Sequence, residues 1–353
     1  MKRNELHTVL RKTGDLSSLM GIRSCELTDG RARGVRAYDL YNQSGLRATV
    51  FADRCLDIPL VSYKGHNIGF LSKSGVSSPF SYTYTPDGAD CFLRQFPAGF
   101  MTTCGMTFSG ATGPDGDQVL PLHGRVSNSI AENAAARCEW LDDEYVMHVS
   151  GSVREARLVE ENMLLTRDLF MRTEADEIIV HDTVQNLGFT TQPVTQLYHV
   201  NFGYPILDSC AKLYFSADKI TPLTEVAKAG LGKYNVIEEP SDVRPEECFY
   251  HTEQHDPENS FAMIWNPKLE IAVIVHYNSS QCPIMCQWKS RQCGDYALGL
   301  EPTTCGVQGR ARARADGTLR FLEPGKSMHY DLRFEFTDDP ARIGEYRKLC
   351  KEG

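Results

Sequence analysis

No stretch of the sequence is apolar for long enough to cross a bilayer. The longest run, around Leu269 to Tyr277, falls far short of the ~20 residues that a membrane span needs. No CxxC pair occurs among the 12 cysteines. Their densest group, Cys282, Cys286 and Cys293, has spacings that match no usual zinc signature. A chain this large needs no disulfide staples, so the cysteines read as reduced thiols, most of them packing as small hydrophobes. Basic charge is not in excess either. The 37 Lys and Arg face 46 Asp and Glu, a net charge of −9, which argues against a surface built to neutralise nucleic-acid phosphates. A small anionic substrate stays open, because local arginines can dominate one pocket. No linker rich in Pro, Gly or Ser divides the chain, and neither a fixed-period repeat nor a low-complexity tract occurs. Charges run through Met1 to Gly21, where a leader peptide would be apolar. These absences predict an uncleaved cytoplasmic protein with no membrane and no nucleic-acid partner.

What is present is an ordinary globular composition over 353 residues, 41% hydrophobic and 24% charged. Past the first twenty residues the apolar pattern has period two with turn punctuation, the mark of sheet. Leu46–Phe51, Arg54–Ile58 and Pro59–Tyr63 read as strand segments, and so does Tyr145–Val149. Leu164–Met171 and Glu177–Val184 read as a hairpin, and Leu269–Tyr277 with Pro283–Trp288 as another pair. Asp316-Gly317 and Pro324-Gly325 supply turns between the strand-like runs Ala311–Ala315, Thr318–Leu322 and Ser327–Phe336. Helices are few: Asn4 to Leu19, and one opened by Asp339 as N-cap with Pro340 at its first position. Ser72–Asp90 and Gly230–Asp256 read as loop excursions. The prediction is an all-β fold, one large antiparallel β-sandwich with few short helices, over 1–353 as a single domain. It carries an N-terminal extension over about 1–30 and a C-terminal helix over about 339–352.

Four segments place titratable side chains beside glycines inside apolar sheet. They run from Phe92 to Gly105, from Leu120 to Arg125, from Gln196 to Pro205 and from Ala297 to Thr303. Strand alternation puts His199 and Asn201 on one face and Tyr198 on the other. Glu301 follows Leu298-Gly299-Leu300 and precedes Pro302, a position where a carboxylate can face a cavity. Each signal has a plain structural reading as well. A histidine in a strand is commonly a hydrogen-bonded structural residue, Arg94 and Arg125 suit a surface, and Asp53, Arg54 and Asp57 suit a structural ion pair. Spacing alone does not bring His123, His199 and Glu301 together.

The order of these segments resembles the galactose-mutarotase-like (aldose 1-epimerase) superfamily, and within it a branch known only as a domain of unknown function of the DUF4432 type. Phe51-Ala52-Asp53-Arg54-Cys55-Leu56-Asp57-Ile58 is similar to that branch's Asp-Arg-Gly-Met-Asp-Ile element. Phe100 to Gly105 resembles its Leu-x-Thr-Cys-Gly stretch, and His123-Gly124-Arg125 its His-Gly-Arg element. Leu164 to Pro205 resembles the superfamily's hairpin followed by an x-His-x-Asn-x-Gly strand, and the likeness runs roughly from residue 35 to 336. The resemblance implies a supersandwich fold and a mutarotase that interconverts sugar anomers without a cofactor or metal. Carried over, it makes Glu301 the general base, His199 the general acid and His123 a sugar-orienting partner at the ring oxygen. Arg94, Arg125, Arg54, Asn201 and Trp288 become candidate sugar contacts. Characterised mutarotases carry a further aspartate between the second histidine and the base; here Glu246 to Asp256 offers no clear match, with Glu253, Asp256 or His251 as substitutes. The expected partner is a small sugar or sugar derivative, and the chain is a monomer or homodimer. Two other readings share the pocket: a carbohydrate-binding protein without catalysis, and a sugar isomerase or lyase, cofactor-free or holding a metal on His123, His199 and Glu301. Convergent arginines would favour an anionic sugar and outward-pointing ones a neutral sugar.

Overall fold

The computed structural model describes residues 1–81, 89–243 and 246–350. Two large antiparallel sheets hold most of the strands. In the larger one, Gly21–Glu26, Arg36–Tyr41, Leu46–Phe51, Asp57–Tyr63 and Met101–Cys104 lead to Leu197–Phe202, followed by Asp295–Thr303, Ile284–Gln292, Glu247–Gln254 and Ala217–Pro222. The smaller runs Glu132–Leu141, Glu144–Ala156, Asn162–Arg172, Glu177–Asn186, Ser327–Thr337, Ile271–Tyr277, Ser260–Asn266 and Lys212–Phe215.

The period-two pattern explains the core. Along Asn162–Arg172, Met163, Leu165, Leu169 and Met171 are buried; along Glu177–Asn186, so are Ile178, Val180 and Val184. They join one apolar cluster with Ile58, Tyr198, Val200 and Phe202 of the larger sheet and with Phe100 just before Met101–Cys104. Within these strands Arg167 and Asp182 break the apolar rule in mid-strand, and they face each other across the ladder. The Arg167 guanidinium binds Asp182 at 2.6 and 2.8 Å, Thr103 Oγ1 at 2.8 Å and Asp57 at 3.2 Å. Tyr198 donates to Asp182 at 2.7 Å. A buried charge is tolerable only when paired and fully hydrogen-bonded, and this network meets that need while tying the two sheets together.

The hairpin of Asn162–Arg172 with Glu177–Asn186 matches the sequence expectation, as does the helix Pro340–Leu349, where Asp339 accepts from the Ala341 N–H at 2.9 Å. Residues 351 and 352 of the expected helix lie outside the described residues. Five expectations are corrected. The first helix spans only Arg3–Leu10, and the N-terminal extension contributes the edge strand Gly21–Glu26 to the larger sheet. Ala311–Ala315 is not a strand but lies in the helix Arg310–Ala315. Its alternating Ala and Arg imitate period two, yet both are strong helix formers, and Arg310 and Ala313 bury one helical face. Leu269–Tyr277 and Pro283–Trp288 do not pair, because the chain crosses from one sheet to the other between them. Arg54–Ile58 is not strand throughout: residues 52–56 turn, with Cys55 and Leu56 at positive φ, and the strand begins at Asp57. The stretch 230–256 is no simple loop, since Glu247–Gln254 is a strand of the larger sheet. Of the excursion expected over 72–90, positions 82–88 lie outside the described residues.

Candidate active site

His199 stands on Leu197–Phe202, which is buried along its whole length. Its face of the ladder continues strand by strand. The pairs Leu197↔Thr303 and Val200↔Leu300 bring Glu301 level with His199, and Glu301 in turn pairs with Cys286. One row along, Asn201 pairs with Gly299, Gly299 with Trp288 and Trp288 with Cys248. Residues separated by about a hundred positions thus become neighbours through register alone. Gly299 is the gap in this second row. A Cβ there would collide with Glu301 Oε1, so the carboxyl group can lean over this position only because it is glycine.

His123 arrives from a loop. Its φ of 55° is left-handed, Gly124 follows at 78°, and the His123 N–H donates to Gly110 O at 2.8 Å. A Cβ on Gly124 would strike the carbonyl oxygens of Phe108 and Gly105. Only glycine lets the loop pass so close to the end of Met101–Cys104. The imidazoles of His123 and His199 lie 5.5 Å apart, centroid to centroid. Trp288 meets the His199 ring edge-on at 5.6 Å. Phe92 and Phe96, stacked at 4.6 Å, lie against His123 and His199, each at 5.1 Å.

These groups line a cavity of about 410 Å³, within the range of small-molecule sites. Three buried polar atoms there have no hydrogen-bond partner: His123 Nδ1, His199 Nδ1 and Glu301 Oε1. Buried polar atoms are rarely left so. His199 Nδ1 stands 3.4 Å from Glu301 Oε1. Burial pushes His199 down to about 3, with His123 adding to the effect, and pushes His123 down to about 4. It raises Glu301 to about 8, helped by the charge of Glu246 and opposed by a hydrogen bond from Cys286. Between those limits the pair His199–Glu301 holds one proton, resting on the carboxyl group.

Of the sugar contacts expected from sequence, Trp288 lines the cavity and the other four do not. Arg54 is buried and spent on the protein, donating to Ser77 O and Oγ and to Gln95 O at 3.0, 3.2 and 3.1 Å. Arg94 is exposed and pairs with Asp90 at 2.6 Å. Arg125 lines a separate cleft beside Asp115 and Arg314. Asn201 is buried with its amide donating to His199 O at 2.9 Å, so it holds the histidine strand. The substitutes named for the third carboxylate also lie elsewhere. Glu253 pairs with Lys219 at 2.9 Å, Asp256 caps its own turn, and His251 stacks on Phe215 and binds Gln287 at 2.9 Å. The cavity receives Glu246 instead. In sequence Glu246 is indistinguishable from Glu247, which is buried with Lys289; only the start of the strand separates them. Lys73 and Asp295, paired at 2.6 Å, also line the cavity. Among the described residues no three His, Cys, Asp or Glu side chains are grouped to hold a metal ion.

The family described as a domain of unknown function (DUF4432) matches residues 32–336. The chain belongs to this family. No curated protein sequence matches it at a significant level. Among solved structures, a candidate aldose 1-epimerase from Klebsiella pneumoniae superposes with a TM-score of 0.87 at 22% identity, covering 93% of this chain and 86% of that one. A galactose mutarotase-like protein from Clostridium acetobutylicum gives 0.65 at 14% identity, covering 91% and 99%. Galactose 1-epimerase from Lactobacillus acidophilus gives 0.59 at 12% identity, covering 90% and 99%. These matches establish the galactose mutarotase-like fold for the family member described here. No described helix is long and apolar enough to cross a membrane.

Proposed function

We propose that the protein is a carbohydrate mutarotase, an isomerase that interconverts the anomers of a neutral sugar by acid/base ring opening. The observation that carries this reading is the buried pair His199–Glu301, 3.4 Å apart at the wall of a sugar-sized cavity. Opening a hemiacetal needs a proton taken from the anomeric hydroxyl while another reaches the ring oxygen. A carboxylate and an imidazole suit these two tasks, each worth roughly 10²–10⁴ in rate. Burial favours the neutral tautomer, with the proton on Glu301. Sugar hydroxyls entering the cavity solvate both groups and so reverse both shifts. Moving the proton to His199 then gives the carboxylate that attacks the anomeric hydroxyl proton and the imidazolium that protonates the ring oxygen. After rotation about C1–C2 the same two groups close the ring with their roles exchanged. His123 stands beside His199 as a neutral partner for a sugar oxygen, and Trp288 offers an aromatic face.

The charges support a neutral substrate. Arg54, Arg94 and Arg125 all lie outside the cavity, and the single cation lining it among the described residues, Lys73, is paired with Asp295. Glu246 adds an acidic side chain to the lining, which disfavours phosphorylated and carboxylated sugars. An NMR anomer-exchange screen over neutral, phosphorylated and acidic sugars tests the reading. Acceleration confined to neutral sugars is expected. Sugar binding without accelerated exchange would make the protein a carbohydrate-binding module instead.

A further inference from the structure

Glu301 has neighbours on both sides of its strand. His199 lies on one side, with Thr102 beyond it and Cys104 diagonally placed; Cys286 lies directly opposite on the other, with Tyr250 one strand further and Cys248 diagonal to it. Glu246 acts on it from across the cavity, and His123 stands behind His199. Of these groups, Cys286 is the thiol directly opposite Glu301 on the neighbouring strand, buried beside the carboxyl group. Its thiol is buried at 1% exposure and held well above its ordinary pKa. It is therefore a neutral donor at physiological pH and a poor nucleophile. Meanwhile Glu301 Oε1 has no hydrogen-bond partner and faces His199 Nδ1 over the gap left by Gly299. A carboxyl group free to rotate about its last torsion would present either oxygen.

We propose that Cys286 is a positioning residue for Glu301: its S–H donates across the ladder and fixes the carboxyl rotation, leaving one oxygen free beside His199. The proposal rests on the reading of Glu301 as a proton-transfer group. A donor to the carboxylate also stabilises its charged form, which counters the burial. Serine at 286 keeps a donor; alanine removes it.

The test uses the full chain with Cys286→Ala and Cys286→Ser. The Glu301 carboxyl group is followed by carbon-13 NMR titration of protein labelled at glutamate carboxyls, its signal identified by its loss in Glu301→Gln. Cys286→Ala is expected to raise the titration midpoint, and Cys286→Ser to return it to the wild-type position or below. In anomer exchange, kcat is expected to fall about 10-fold in Cys286→Ala with little change in KM, as for a charge-assisted hydrogen bond lost in the reaction. Cys286→Ser is expected to recover most of that loss. An unmoved midpoint in a Cys286→Ala protein that melts like wild type overturns the proposal, and so does failure of Cys286→Ser to differ from Cys286→Ala. If the midpoint moves as stated while wild type exchanges no anomer, the positioning role stands and the mutarotase reading falls.

Discussion

Glu301 sits where its own charge is least welcome. Burial lifts it to about 8 from an ordinary 4.5, so the folded protein keeps a proton that the unfolded chain has already released. Such a group contributes its stability below the unfolded value and loses it as the pH rises through the folded one. Glu301→Gln cannot ionise. Its melting temperature should therefore gain on wild type as the pH is raised from about 5 to about 9. A constant difference across that window would mean that the carboxyl group is not buried as described. The same proton sets the rate profile. Because the pair His199–Glu301 works with one proton between its members, kcat/KM should stay level through neutrality and fall above about 8, where Glu301 gives it up. A pH–rate profile that keeps rising beyond that point would show that the fully deprotonated pair is the active form.

At the scale of the strand, what matters is how neighbouring side chains share a row. Gly299→Ala places a methyl group where Glu301 Oε1 lies. Its φ is not in the left-handed region, so the backbone tolerates alanine and the cost falls on the carboxyl position. The expected outcome is a native circular-dichroism spectrum with kcat lowered by about 10²-fold, as for a reacting group displaced by about an ångström. Full activity would show that the carboxylate does not need this gap. Much of this level was legible beforehand. Alternation along Leu197–Phe202 put His199 and Asn201 on one face, and the Pro302 that follows Glu301 marked the end of a buried strand. The pairing of Glu301 with Cys286, and the need for Gly299, were not. They depend on register between strands, which is set by tertiary packing and leaves no local trace. The helix Arg310–Ala315 was hidden for a related reason: a six-residue run of alternating Arg and Ala satisfies both periodicities.

For the molecule as a whole, the element Asp53-Arg54-Cys55-Leu56-Asp57 serves the scaffold. Asp53 pairs with Arg36, Arg54 satisfies loop carbonyls, and Asp57 joins Thr103 and Arg167 between the sheets. That network touches Tyr198, the residue beside His199, and so stiffens the histidine strand from behind. Removing Arg167 would leave Asp182 buried without its cation. Arg167→Leu is expected to destabilise the fold by about 3–5 kcal/mol in denaturant titration, and a loss under about 1 kcal/mol would show that the network is replaceable by apolar packing. The sequence pattern could show that arginines were plentiful near the site segments, but not which way they faced. Arg54 turns inward to loop carbonyls, Arg94 pairs with Asp90 and Arg125 lines a separate cleft, so of the two substrate classes the arginines left open the neutral one is favoured. The most direct test sets wild type beside Glu301→Gln in NMR exchange spectroscopy on a neutral hexose. Cross-peaks between anomers should strengthen with wild type and fall to the uncatalysed level with the variant, while the variant still broadens the sugar's signals by binding. Equal exchange from both proteins would contradict the assignment of proton transfer to this carboxylate.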